Sequence, residues 1–257
     1  MWKFIRITVL FAVLAAVAGA AWLDRVSTTS WDKPLWVGIF PLNGDNSDVG
    51  ARYISSLTVE DFKSIEAFYS KEAVRYGVKI DRPVRVDLYP SPQELPPALE
   101  PRANRLQVMW WSLKTRLYAR HAADVPGRPR SPIRVFVLYH DPKLSESVPH
   151  SLGMQKGLIG VVHAFADPHM TGSNSIVIAH ETMHTVGATD KYDLETGAPI
   201  YPGGYGEPAL SPRFPQRYAE IMAGQRAISD QQQDMPETLR EVVVGPQTAE
   251  EIGWAHR

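Results

Sequence analysis

The chain has 257 residues, 44% of them hydrophobic and 21% charged, with a formal net charge of −1 and no cysteine. That length holds one large domain or two small ones. The near-neutral balance offers no basic field for nucleic acid, and the missing thiols exclude a disulfide framework, a cysteine nucleophile, a cysteine-ligated metal and a lipidated cysteine.

Lys3 and Arg6 precede an uncharged run over residues 7–23, which Asp24 and Arg25 close. The run is longer than a usual signal-peptide core and slightly short for a spanning helix. Residues 1–25 are expected to be a membrane anchor flanked by Trp2 and Trp22, or a signal cut near Ala18-Gly19-Ala20. In both cases the basic flank stays cytoplasmic, and the chain beyond Leu23 lies outside the cytoplasm, on the periplasmic or extracellular side. It is then either membrane-anchored or secreted after cleavage.

After a polar linker over 27–33, residues 35–42 read as a buried strand. The segment Asn43-Gly44-Asp45-Asn46-Ser47-Asp48 reads as a polar turn; calcium is the alternative, although the spacing matches no complete calcium loop. Thr58 opens a helix with Glu60 and Asp61 in its first turn. Phe62, Ile65, Tyr69, Ala73 and Tyr76 recur along it at helical spacing, and Gly77 stops it. Val84, Val86 and Leu88 alternate with Arg85, Asp87 and Tyr89 as a half-buried strand. Five prolines within 90–101 exclude regular structure there.

A second helix is expected over about 103–122, with Leu106, Trp110, Leu113 and Leu117 as its inward stripe. Arg105, Lys114, Arg116 and Arg120, with the later Arg128, Arg130 and Arg134, make this the most basic region. It reads as a solvated face or as a contact with anionic lipid beside the anchor. After a Pro-rich loop over 124–132, residues 133–139 read as a central strand. Residues 158–165 read as an edge strand able to take an extended peptide, with Gly160 at a bulge or close approach and His163 as a packed or solvent-facing histidine.

Asn174 or Ser175 is expected to cap the next helix, whose apolar start (Ile176 to Ala179) implies burial behind the sheet. It leads into His180-Glu181-Thr182-Met183-His184-Thr185-Val186-Gly187-Ala188-Thr189-Asp190. Positions i and i+4 share a helix face, so His180 and His184 can present two imidazoles to one ion. Two histidines with an intervening glutamate are a zinc signature in which the glutamate is the base. Gly187 can take a left-handed conformation and stop the helix, which lets Asp190 reach back as a third ligand. Asp193, three residues on, is the competing ligand. The remainder is a Gly/Pro-dense loop over 201–215, the segment Tyr218-Ala219-Glu220-Ile221-Met222-Ala223-Gly224, and a short last helix opened by a Thr248–Glu251 capping box and carrying Ile252 and Trp254.

This pattern resembles the metzincin metallopeptidases, whose signature is H-E-x-x-H-x-x-G-x-x-H or D followed by a Met-turn; the aspartate form is similar to the snapalysin type. The resemblance implies that His180, His184 and Asp190 ligate one catalytic Zn2+, that Glu181 is the general base, and that Met222 is the Met-turn residue. Many members carry a tyrosine two residues after that methionine; here the position is Gly224, so no transition-state tyrosine is implied. The implied fold class is α+β, with an α/β/α-like upper lobe over about 31–187 and a smaller irregular lower lobe over about 188–257. The upper lobe would hold a twisted mixed sheet with an antiparallel edge strand and the zinc helix. The lower lobe would hold the Met-turn and the C-terminal helix. Residues 26–257 would then be a single zinc endopeptidase domain acting on a peptide or protein substrate. The alternatives are a non-catalytic zinc-stabilised binding module tethered to the membrane, or a zinc hydrolase of a non-peptide amide.

Overall fold

A computed structural model describes residues 2–100, 103–155 and 157–255, less the side chains of residues 3, 13, 16–18 and 20–27. The chain begins with α1 (Trp2–Thr29), which continues through the first half of the expected polar linker. Among the described residues no helix is long and apolar enough to cross a membrane. Much of the expected anchor, including the side chains of Ala18, Ala20 and Trp22, lies outside that description. Beyond α1, Trp31 is buried, packs edge-on against Trp254 at 5.2 Å and donates its indole N–H to Ile252 O.

The remaining elements are β1 (Leu35–Asn43), α2 (Asp48–Ser56), a 3-10 turn (Val59–Phe62) leading into α3 (Lys63–Arg75), β2 (Val84–Leu88), α4 (Arg105–Ala122), β3 (Ile133–His140), β4 (Leu152–Met154), β5 (Ile159–Phe165) and α5 (Thr171–Thr185). Short strands β6 (Ala219–Glu220), β7 (Arg226–Ala227), β8 (Gln233–Asp234) and β9 (Val242–Val243) precede α6 (Pro246–Glu251). The fold is mixed α+β around a five-stranded sheet of order β2-β1-β3-β5-β4. The first four strands are parallel, and β4 runs antiparallel to β5. The sequence suggests β5 as the edge; the edge is instead β4, a three-residue strand too short to carry a periodic signal.

Strand alternation divides the core into two layers. On one face Val37, Ile39, Val135, Val137 and Val162 pack with Ile65, Tyr69, Ile178 and Met183 of α3 and α5. On the other, Phe40, Phe136, Leu138, Ile159 and Val161 pack with Ala119 of α4. Tyr89 belongs to this second layer and stacks on Phe40 at 4.7 Å, so both faces of the β2 end are covered and not just one. β1 is buried along nearly its whole length, as its composition requires for a central parallel strand.

The phase of α4 differs from its sequence reading. Its buried residues are Trp111, Thr115 and Ala119, while Leu106, Trp110, Leu113 and Leu117 are exposed. The sheet explains the choice. Phe40 and Phe136 already fill the layer beneath α4, so the helix approaches with small side chains, Thr115 and Ala119. Trp111 and Tyr118 lie at its margins and donate to Pro97 O and Glu94 O of the Pro-rich loop. In the turn after β1, Asp45 accepts from the Ser47 and Asp141 backbone N–H groups, and Ser47 caps α2. The turn is therefore a backbone joint closed by Asp45.

Candidate metal centre

Helix α5 is one turn longer at its start than the sequence suggests. It begins at Thr171 after a 3-10 turn, and Asn174 and Ser175 are buried within it instead of capping it. Asn174 brackets Phe165, accepting from its N–H and donating to its carbonyl, which fixes α5 against the end of β5. Ile178, Ala179 and Met183 face the sheet, and Tyr69 donates to Ala179 O. The opposite side of the same turns presents His180 and His184.

The end of α5 also sets the site. Gly187 has φ +107°, the left-handed region that favours glycine, and lets Ala188 N–H reach back to Met183 O. The reversed chain brings Ala188 O to His184 Nδ1 at 2.9 Å. His180 Nδ1 meets Ile221 O at 2.8 Å. A carbonyl only accepts, so each Nδ1 carries the proton and each Nε2 is left as the free donor atom.

Those two Nε2 atoms lie 3.1 Å apart, and Asp190 Oδ1 lies 3.2 Å from one and 3.1 Å from the other. A tetrahedral ion with bonds of about 2.0–2.1 Å holds its ligand atoms roughly 3.3 Å apart. His180, His184 and Asp190 could therefore hold a metal ion, and no other group of three such side chains this close occurs among the described residues. Asp193 is elsewhere: its Oδ1 accepts from Glu195 N, Thr196 N and the Thr196 hydroxyl and closes a turn.

The same contacts shift the titrating groups of the site. Burial pulls the His180 imidazole down, but its bond to Asp190 and the charge of Glu181 hold it above the ordinary histidine value. Burial pushes Asp190 up, yet its bonds to both imidazoles hold it well below the usual carboxylate range. Glu181 is raised by burial despite the neighbouring histidines. Only 4% of Glu181 is exposed, and its Oε2 has no hydrogen-bond partner. An unpartnered buried carboxylate oxygen costs stability unless something else uses it.

Glu181 sits under the sheet edge. A Cβ on Gly153 of β4 would lie 2.5 Å from Glu181 O and from His184 Cβ, and 3.0 Å from Glu181 Oε2. Only glycine permits this approach. It puts one face of the edge strand against the carboxylate. Met222 is fully buried next to Ile221, and its carbonyl accepts from Lys191 N.

Neither a protein-family model nor a curated protein matches this chain. The site is thus described by its own geometry, which includes residues that the sequence motif does not show. Glu251 of α6 accepts from Thr189 N, the Thr189 hydroxyl and Lys191 Nζ, at 2.8–2.9 Å. It clamps the residue on each side of Asp190. Glu220, fully buried, accepts from Met222 N, Ala223 N, Gly245 N and the Thr248 hydroxyl, so one carboxylate ties the Met222 turn to α6. That helix starts at Pro246; the expected cap residue Thr248 lies inside it and serves Glu220 instead. Tyr192 is raised by burial and by the charges of Asp190 and Glu181, which puts its phenol in the field of the site. His163 is not part of the group; its Nδ1 meets His140 Nε2 at 2.9 Å.

Proposed function

We propose that this chain is a zinc-dependent endopeptidase. The observation that carries the reading is the convergence of His180, His184 and Asp190 at ligand spacing beside the buried carboxylate of Glu181, whose Oε2 has no hydrogen-bond partner. The donor set fits zinc: two neutral imidazoles and one carboxylate leave a fourth position open. When bound, zinc supplies a Lewis acid that polarises a carbonyl and acidifies a water. His180 and His184 would hold the ion through their Nε2 atoms, because carbonyls occupy the other ring nitrogens. Glu181 Oε2 accepts a proton from the attacking water and passes it to the leaving amine. Its raised pKa suits that exchange, since a base must also serve as the acid that returns the proton.

The edge strand argues for a peptide over another amide. Among the described residues β4 pairs only with β5, which leaves its second side to take an extended chain by strand addition. Gly153 sets the face of that strand against Glu181. The metzincin reading draws further support from the antiparallel edge strand and from the Ile221-Met222 turn, whose first carbonyl orients His180. On this reading the uncharged run over 7–23 anchors the chain and the domain works outside the cytoplasm.

The rival is a zinc-stabilised binding module, which needs the three ligands but no base. Full-length wild type and Glu181→Ala, in detergent, separate the two by bound zinc and by cleavage of a peptide library. The peptidase reading expects about one zinc in each protein and cleavage by wild type only. Zinc in both with cleavage by neither favours the binding module, and zinc in neither overturns the metal centre.

A further inference from the structure

Helix α4 carries a stripe of large apolar side chains on its outward face. Leu106, Met109, Trp110, Leu113 and Leu117 are between 44% and 72% exposed. At 3.6 residues per turn they fall within about 60° of one line along the helix. Arg105, Lys114, Arg116 and Arg120 border that stripe, and no aspartate or glutamate occurs anywhere in the helix. The Lys114 ammonium lies over the Trp110 ring at 5.9 Å, so cation and aromatic form one patch. Among the described residues the stripe stays exposed, because the sheet contacts the opposite side of α4 through Trp111, Thr115 and Ala119.

We propose that this face of α4 docks on a bilayer surface containing anionic lipid. An apolar stripe with a central tryptophan, bordered by cations and free of acids, is the pattern of a helix lying in the membrane interface. Its stem-bearing cations reach headgroup phosphates while the apolar side chains enter the acyl boundary. The charge bias selects an anionic surface over a second copy of this chain, whose α4 face would oppose cation to cation. The uncharged N-terminal run independently points the chain to a membrane. The docking does not rest on the peptidase reading, though it bears on it. Ser112 of α4 meets Met154 of the edge strand at 3.8 Å, so a docked α4 holds the free sheet edge close to the lipid headgroups. Membrane-proximal segments would then be the natural substrates.

The absence of cysteine makes the test direct. Full-length chain carrying Leu113→Cys, or Met109→Cys as a second position, is labelled with a nitroxide and reconstituted into vesicles. One set is neutral phosphatidylcholine and one contains about a third anionic lipid. Leu194→Cys, at a site that is 83% exposed, is the aqueous control. Expected in the anionic vesicles is a label shielded from a water-soluble relaxation agent and accessible to oxygen at 113 and 109 but not at 194. Arg105→Gln, Lys114→Gln and Arg120→Gln together should cut the docked fraction's partition constant by about 100-fold, roughly fivefold for each cation. Equal aqueous access at 113 and 194 overturns the proposal. So does equal shielding in neutral vesicles, or shielding in detergent that grows with protein concentration, which would identify a second copy as the occupant.

Discussion

Removing Glu251 should loosen the metal centre from a distance. Its carboxylate receives Thr189 N, the Thr189 hydroxyl and Lys191 Nζ, and the Lys191 side chain is only 3% exposed against 21% for Glu251. Glu251→Ala deletes two hydrogen bonds from Thr189 to a charged carboxylate, about 1.5 kcal/mol each at the solvated end of the range. It also strips a buried ammonium of its counter-ion, a loss of about 3–5 kcal/mol when both partners are fully enclosed. Lys191 keeps Thr189 O, and the carboxylate is partly solvated, so the ion-pair loss adds little and the total is expected near 3–4 kcal/mol, a fall in Tm of roughly 6–15 °C. Because Thr189 and Lys191 flank Asp190, zinc affinity should fall by about 10–100-fold. Thermal denaturation and competition against a chelator measure the two effects separately. Burial raises the Glu251 carboxyl, but its bonds to Lys191 and Thr189 leave it below the ordinary glutamate value. The contribution is therefore present above the ordinary glutamate range and disappears as pH falls through the depressed value, where wild type and Glu251→Gln should converge. A lower Tm with wild-type zinc affinity would refute the claim that Glu251 positions Asp190.

The phase of α4 is checked by two neighbouring tryptophans. Trp111→Ala should cost about 3–5 kcal/mol and Trp110→Ala within about 0.5 kcal/mol in detergent-solubilised chain, by chemical denaturation. The reverse order would restore the sequence-based stripe. The His140–His163 pair predicts a second pH effect. Burial, with help from the His140 charge, pulls the His163 imidazole down to about 4. The unfolded chain then binds more protons than the folded one between about 4 and 6.5, so stability rises with pH across that window. Allowing for its partial exposure the gain is about 1–2 kcal/mol, and it should vanish from the difference between wild type and His163→Gln.

The metal-centre motif was legible because a helix converts spacing into geometry without help from the rest of the chain. His180 and His184 share a face at four-residue separation, and Gly187 ends the helix by its positive φ, so the motif itself carries the turn toward Asp190. The buried strands β1 and β3 were legible for the same local reason, since a run of β-branched and aromatic residues fits only an enclosed sheet. Helix α4 shows where local reasoning stops. It bears two apolar stripes, and only Phe40 and Phe136 on the sheet decide that the slimmer one faces inward. The edge strand was hidden because three residues hold no periodicity, and β5 could not show from its own sequence that another strand would cover it. Glu251 and Glu220 lie far along the chain from the groups they hold, and no spacing rule joins them. Chain-local pattern determined which atoms could meet a metal. Tertiary packing decided what holds those atoms in place and which face of α4 is left exposed.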